Sequence, residues 1–191
     1  MKALRVRRAL AARTLEFTIL TAVRSDEAYG ARWEEFDLEK ACWTVAAERT
    51  KAKREHRVPP STRAVQIIRD LEAAKISPFV FPGRKPNKPL SNMAMSNVLE
   101  RMKVRVTVHG FRSTFRDWTS ECTEFSNETC EAALAHVIGD KAEAAYRRGD
   151  RFAKRRELMN AWEAFCIPKN DGTKQETGVI FANGTEVGPA A

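Results

Sequence analysis

No stretch of this sequence approaches the roughly 18 consecutive apolar residues that a membrane-spanning helix needs. The opening Met1-Lys2-Ala3-Leu4-Arg5-Val6-Arg7-Arg8 is not followed by the apolar core of a secretory signal. Membrane insertion and secretion are therefore not expected, and a cytoplasmic location is. The four cysteines, Cys42, Cys122, Cys130 and Cys166, form no Cys-x-x-Cys pair and sit among helix- or strand-forming residues, which excludes the disulfide framework of a small secreted domain. They are expected as reduced core residues. A zinc site using Cys130 and His136 lacks two further ligands at workable spacing. No repeat with a period of about 20 to 50 residues is present. Histidine and tyrosine are scarce, at 3 and 2 residues, so each can be weighed singly.

What the chain has in excess is positive charge. Lysine and arginine number 33 against 25 aspartates and glutamates, a net charge of +8, so a polyanionic partner is expected, nucleic acid first and a membrane surface second. The 191 residues suffice for one domain with a proper core but not for two full-sized ones. With 43% hydrophobic and 30% charged residues, the balance is that of a globular chain.

Apolar spacing near 3.6 predicts a helix from Leu4 to Val23, carried by Leu10, Leu15, Phe17, Ile19, Leu20 and Val23, with no capping residue ahead of it. That uncapped start reads as a truncation of a longer protein. Ser25 is expected to cap a second helix through Trp33, with Asp26 and Glu27 in its first turn. Cys42-Trp43-Thr44-Val45 reads as a strand, and the basic run from Arg49 to Arg57 leading to Val58-Pro59-Pro60 reads as an exposed ribbon with a charged tip. A helix from Ser61 carries Val65, Ile67, Ile68 and Leu71, and Phe79-Val80-Phe81 reads as a short buried strand ending in the Pro82-Gly83 turn. Three more helices are expected, capped by Ser91 and running to Met102, from His109 to about Cys122, and capped by Ser126 and running to His136. Lys141 to Arg147 form a turn or short helix, and Phe152, Met159, Trp162 and Phe165 mark an amphipathic helix. Residues 1–167 form the globular unit and 168–191 a polar tail, in which 179–187 can form a small hairpin. The whole is expected to be mainly α with a small antiparallel β-sheet, an α+β fold.

Several side chains can carry chemistry. His109 and Arg112 stand three positions apart at a helix start, where imidazole, guanidinium and free backbone N–H groups can converge on an anion; the alternative is a capping histidine and a surface arginine. Arg24 ends a hydrophobic helix and can pair with Glu27, either as a surface ion pair or as an arginine held to grip a phosphate oxygen. Lys51 and Lys53 lie in the ribbon tip. His136 emerges from the small apolar run Ala132-Ala133-Leu134-Ala135, and Tyr146 stands between small residues and Arg147 and Arg148. Taken alone, His136 reads as a core histidine and Tyr146 as a packing aromatic.

Taken in order, Arg24, Lys51 on a ribbon, His109-Gly110-Phe111-Arg112, Leu134-Ala135-His136 and Ala145-Tyr146 resemble the tyrosine recombinase (phage integrase) family, over Leu15 to about Cys166. The resemblance implies that fold's catalytic domain and a DNA strand-breaking and rejoining enzyme serving integration or excision of a mobile element. It implies that Arg24 and Arg112 bind the non-bridging oxygens of the scissile phosphate, with His109 and His136 at the same site and Glu27 orienting Arg24. Tyr146 is then the nucleophile, forming a 3′-phosphotyrosyl bond, and Lys51, eight residues before Pro59 as the family's ribbon lysine stands, the general acid. Lys53 is the rival for that role. Lys53, Arg54, His56, Arg147 and Arg148 are expected to contact DNA. Such chemistry needs no metal or cofactor. The family also implies a tetramer on DNA through the C-terminal helix, with a monomer or weak oligomer in its absence.

Full members carry an N-terminal domain that completes a clamp around DNA, and this chain starts within the catalytic domain, so specific binding is expected to be weak and salt-sensitive. Two other readings fit the same residues. One is a catalytically impaired, truncated integrase remnant acting only as a DNA-binding protein. The other is a nicking and closing enzyme of the type IB topoisomerase kind.

Overall fold

The structure, a computed structural model, describes residues 1–136 and 149–168. Tyr146, Arg147 and Arg148, the element expected over 141–147 and the hairpin expected over 179–187 lie outside the described residues. The fold is mainly helical with one small antiparallel sheet. None of the described helices is long and apolar enough to cross a membrane.

The first helical stretch is two helices, α1 (Lys2–Arg5) and α2 (Leu10–Thr21), not the single one expected from Leu4. Ala9 is extended, and the break lets Leu4 fold back into the core while Arg5 reaches Glu16 at 3.6 Å. α2 is the centre of the molecule. Residues 14–23 are all buried, so the helix is covered all round rather than along one stripe. Its threonines fit there because Thr14, Thr18 and Thr21 donate their hydroxyls to carbonyls one turn back, at 2.7–2.9 Å. Glu16, fully buried, accepts two bonds from Arg63 and one from Arg13.

One side of α2 gives Leu15 and Ile19 to a core shared with Met95, Leu99, Phe115, Trp118, Leu158 and Trp162. The other gives Phe17, Leu20 and Val23 to a core with Trp43, Val45, Val58, Ile67, Ile68 and Phe81. Three aromatic rings, Trp43, Phe36 and Phe81, surround Phe17 at centroid distances of 5.3–6.1 Å.

α3 is short, Ser25–Tyr29, with Arg24 rather than Ser25 at its N-cap, and Trp33–Glu35 is a separate 3-10 turn. The helix stops at Gly30, where a Cβ would meet a guanidinium nitrogen of Arg49 at 2.7 Å. The sheet runs β1 (Phe36–Asp37), β2 (Cys42–Val45), β3 (His56–Val58), all antiparallel in that order. Its register sets Trp43 opposite Val58 and Val45 opposite His56, so these four residues share the core face and Arg57 points out. β1 is a strand not anticipated from sequence. Phe79 makes only an isolated bridge to Arg32, although Val80 and Phe81 are buried as expected.

α4 (Thr62–Glu72) has Ser61 at its N-cap, but the free N–H of Arg63 is satisfied by Glu163 of the last helix, at 2.7 Å. α5 (Ala94–Arg101) has Met93 and not Ser91 at its N-cap, a start two residues later than expected, and α6 spans Gly110–Cys122 after His109. α7 (Asn127–Ala133) follows Ser126 and ends before His136 because Ala135 turns left-handed, φ 49°. α8 (Phe152–Cys166) packs Leu158, Met159 and Trp162 on its own domain, and the Trp162 indole donates to the Ile19 carbonyl at 2.8 Å. Of the stripe expected on this helix, Met159 and Trp162 are buried in its own domain and Phe165 stays 49% exposed. Of the cysteines, Cys42 and Cys130 are buried as expected, Cys166 is partly covered, and Cys122 is exposed.

Candidate active site

The site begins where α2 ends. Ala22 takes a left-handed conformation, φ 50°, which costs a residue with a Cβ about 1–2 kcal/mol, and the chain turns sharply to place Arg24 ahead of α3. Glu27, 2% exposed, then accepts twice from Arg24, at 2.9 Å from its backbone N–H and at 3.3 Å from its guanidinium. One carboxylate therefore caps α3 and orients the arginine. Arg24 itself keeps 24% of its side chain exposed.

Arg112, in the first turn of α6, is buried. Its guanidinium donates to the carbonyl of Ala22 and, at 2.9 Å, to that of Leu134 just past α7. One side chain thus holds the turn before Arg24 and the end of α7 together. Burial, and secondly the charge of Arg24, push the Arg112 guanidinium down to about 10, with Glu27 opposing the shift. Two cations are held close in a partly desolvated place, where an anion would be favoured.

His56 joins the same cluster. Expected among the exposed DNA-contacting residues, it is instead buried, because β3 alternates and its partner on the inward face is Val58. Burial first, then the charges of Arg155, Arg112 and Arg24, hold the imidazole neutral, with its pKa pushed down to about 4.

The other candidates lie further out. His109 is exposed at the start of α6, so it does not share Arg112's buried direction. His136 is exposed and bonds Glu131 at 2.6 Å, and Glu131 also pairs with Arg116. Lys51, Lys53 and Arg54 are exposed on the turn between β2 and β3. That turn is closed by buried Thr50, whose hydroxyl accepts from the N–H of Arg54 at 3.1 Å and lies 2.8 Å from the Arg54 carbonyl. The structure therefore brings Arg24, Glu27, Arg112 and His56 together, and ties the chain leading to His136 to them through the Leu134 carbonyl.

Two supporting arginines were not singled out by sequence. Arg49, grouped with the basic run, turns inward to pair with Glu35 and donate to the Glu27 carbonyl at 2.6 Å, bracing α3. Arg155, 1% exposed in α8, donates to the Asp150 carbonyl and carboxylate and to the Arg57 carbonyl of β3. The Glu35 and Asp150 carboxylates were the available signals for them. Among the described residues no three His, Cys, Asp or Glu side chains gather as metal ligands.

A mainly helical domain with a three-stranded antiparallel sheet and a buried arginine cluster is the class that this geometry defines. The sequence profile of the Phage integrase family matches residues 2–148. The chain is 39% identical over 148 residues to the prophage integrase IntZ of Escherichia coli K12, covering 76% of this chain and 37% of that protein. It is 35% identical over 159 residues to the prophage integrase IntA of the same organism, covering 81% and 38%. With the integrase of Enterobacteria phage P4 it shares 30% identity over 174 residues, covering 82% and 40%. No solved structure gives a significant match. The chain belongs to the phage integrase family of tyrosine recombinases, and it spans about two-fifths of the length of these curated relatives.

Proposed function

We propose that this chain is the catalytic domain of a site-specific recombinase that cleaves and rejoins double-stranded DNA to integrate or excise a mobile element. The observation that carries the reading is the pair of arginines held at one place. Arg112 is fixed by two carbonyls and Arg24 by Glu27, and the two charges lie close enough that Arg24 lowers the pKa of Arg112. Among the described residues one carboxylate, Glu27, acts on these two guanidinium charges, and a backbone phosphate is an anion of the right size to balance them.

In this reading Arg24 and Arg112 hold the non-bridging oxygens and stabilise the charge that builds on them as phosphorus becomes five-coordinate. His109 and His136 hydrogen-bond at the same phosphate. The Tyr146 hydroxyl gives up its proton and its oxygen bonds to phosphorus, while the bond from phosphorus to the 5′ oxygen breaks and that oxygen takes a proton from Lys51. The products are a 3′-phosphotyrosyl link and a free 5′-hydroxyl. A second 5′-hydroxyl can reverse the step without an external energy source. Tyr29, the other tyrosine, has its hydroxyl committed to the Asn92 carbonyl at 2.7 Å, and burial raises its pKa. Lys53 and Arg54 on the exposed turn, with Arg147 and Arg148, meet the DNA backbone. A tetramer on DNA through the C-terminal helix belongs to the same proposal, with Phe165, 49% exposed, the apolar side chain that α8 leaves uncovered for a neighbouring protomer.

The test is a covalent trap on nicked suicide DNA, read as a protein–DNA adduct on a denaturing gel. The wild-type chain forms it and Tyr146→Phe does not. Arg24→Ala and Arg112→Ala lower its rate at least about a hundredfold, the scale of losing roughly 2.7 kcal/mol of transition-state stabilisation. Equal adduct from Tyr146→Phe removes that tyrosine from its role, and DNA binding with no adduct favours the DNA-binding remnant.

A further inference from the structure

α8 begins beside the sheet. Asp150, two residues ahead of the helix, accepts from the Phe152 N–H at 3.1 Å and so satisfies a free donor at its start. The second oxygen of that carboxylate is shared by two arginines, Arg155 at 2.8 Å and Arg57 at 3.4 Å. Arg155 also donates from Nε to the Asp150 carbonyl at 2.6 Å and from Nη1 to the carbonyl of Arg57 in β3. One side chain, 1% exposed, thus bonds the start of α8 to the edge strand of the sheet.

Two further contacts reinforce the junction. The Arg57 guanidinium lies 4.3 Å from the centre of the Phe152 ring, and Arg156 donates to the carbonyl of Lys40, between β1 and β2, at 2.7 Å. β3 in turn carries the ribbon turn. The Thr50 hydroxyl closes that turn on the backbone of Arg54, two residues before β3 starts at His56, and Lys51 lies inside it. A buried arginine is a costly choice for this junction, since its guanidinium gives up hydration that an aliphatic side chain never had. What the aliphatic chain cannot do is hold two carbonyls and a carboxylate at fixed directions from one planar group. The arginine therefore fixes the register of β3 against α8 where an aliphatic residue would only fill space.

We propose that Arg155 is a positioning residue for the general acid: by locking β3 to the start of α8 it sets where the ribbon turn, and with it Lys51, stands at the phosphate site. The proposal rests on the recombinase reading above, in which Lys51 protonates the departing 5′ oxygen. All three guanidinium nitrogens of Arg155 are engaged within the protein, so its loss acts on proton delivery and not on a contact with DNA.

The experiment separates proton delivery from the rest of the reaction by changing the leaving atom. In a duplex whose bridging 5′ oxygen at the cleaved phosphate is replaced by sulfur, the Tyr146 oxygen bonds to phosphorus, the phosphorus–sulfur bond breaks and sulfur keeps the electron pair. The thiolate needs no acid, because a thiol ionises at about pH 8.5. One nicked suicide duplex, selected with the wild type from a random-sequence library, is made in both forms. Wild type, Arg155→Met, Asp150→Asn and Lys51→Ala are compared in the full chain at saturating DNA. Asp150→Asn keeps an oxygen for the Phe152 N–H and removes the charge that Arg155 and Arg57 share; it decides the matter if Arg155→Met does not fold.

On the oxygen duplex we expect adduct at least about tenfold more slowly than wild type from Arg155→Met and about threefold more slowly from Asp150→Asn, part of the roughly 10²–10⁴ that a general acid supplies. On the sulfur duplex both come within about twofold of wild type, as Lys51→Ala does. A folded variant as fast as wild type on both duplexes overturns the proposal and leaves the recombinase reading standing. So does one slowed by the same factor on both, the result of a merely structural role or of one exerted on Tyr146. Lys51→Ala that keeps its rate on oxygen, or stays slow on sulfur, removes Lys51 as the acid and this proposal with it. No adduct from the wild type, or equal adduct from Tyr146→Phe, overturns the recombinase reading itself.

Discussion

Acid should weaken this protein in a way that depends on one side chain. His56 is buried and neutral in the fold, with its pKa pushed down to about 4 by burial and by Arg155, Arg112 and Arg24, while in the unfolded chain it returns to 6.5. The unfolded state therefore takes up the proton first. The stability tied to the neutral ring is fully present above about pH 6.5 and is lost as pH falls from there through about 4. Linkage puts the loss at about 2 kcal/mol by about pH 5, approaching about 3 kcal/mol at lower pH. The assay is urea unfolding followed by tryptophan fluorescence, at about pH 7.5 and about pH 5, for wild type and His56→Gln. Other histidines and the carboxylates are common to both proteins and cancel in the difference. Wild type should lose about 2 kcal/mol more than the variant between the two pH values, a relative midpoint shift of about 1 M urea for a chain of this size. A difference between the two proteins that is the same at both pH values would refute a buried neutral His56.

Further outcomes follow from single contacts. Gly30→Ala places a Cβ 2.7 Å from the Arg49 guanidinium, and should cost about 1–3 kcal/mol in thermal or urea unfolding as Arg49 is forced off Glu35 and the Glu27 carbonyl. Trp162→Phe removes the bond to the Ile19 carbonyl and leaves a small void between α8 and α2; since Ala22 also donates to that carbonyl, the expected loss is only about 2 kcal/mol, read by calorimetry. Thr50→Val keeps the shape and removes the bonds that close the ribbon turn. It should lower unfolding stability by about 1–2 kcal/mol, and slow adduct formation several-fold if Lys51 is the acid, while leaving Tyr146-dependent attack intact on a substrate with an activated leaving group.

Much of the architecture was legible because periodicity reports burial. The alternation around β2, the stripe Val65, Ile67 and Ile68 of α4, and Met159 and Trp162 of α8 pack where the spacing puts them. The misses share a cause. β1 is two residues long, too short to show a period. The straight helix expected from Leu4 to Val23 breaks because Leu4 gains more by folding back into the core than by continuing the spiral. His56 and Arg49 belong to the basic run that reads as an exposed ribbon, yet both turn inward, His56 to the core face of β3 and Arg49 to Glu35 and the Glu27 carbonyl. For His56 the period-2 rule held the answer, since Val58 two positions on must face the core. The cluster of Arg24, Arg112 and Glu27 was visible only through the order of residues shared with a family; its geometry depends on Ala22 and Leu134 backbone atoms that composition does not report.

A helix without a solvent side has a mechanical meaning for what hangs from its end. α2 is the common wall of both hydrophobic compartments, so neither compartment can loosen without disturbing the other, and the two open as one unit. Arg24, three residues past the end of α2, therefore hangs from a segment that is buried throughout residues 14–23. Any strain generated when a polyanion presses on that arginine is shared by both halves of the protein instead of being absorbed by a yielding loop.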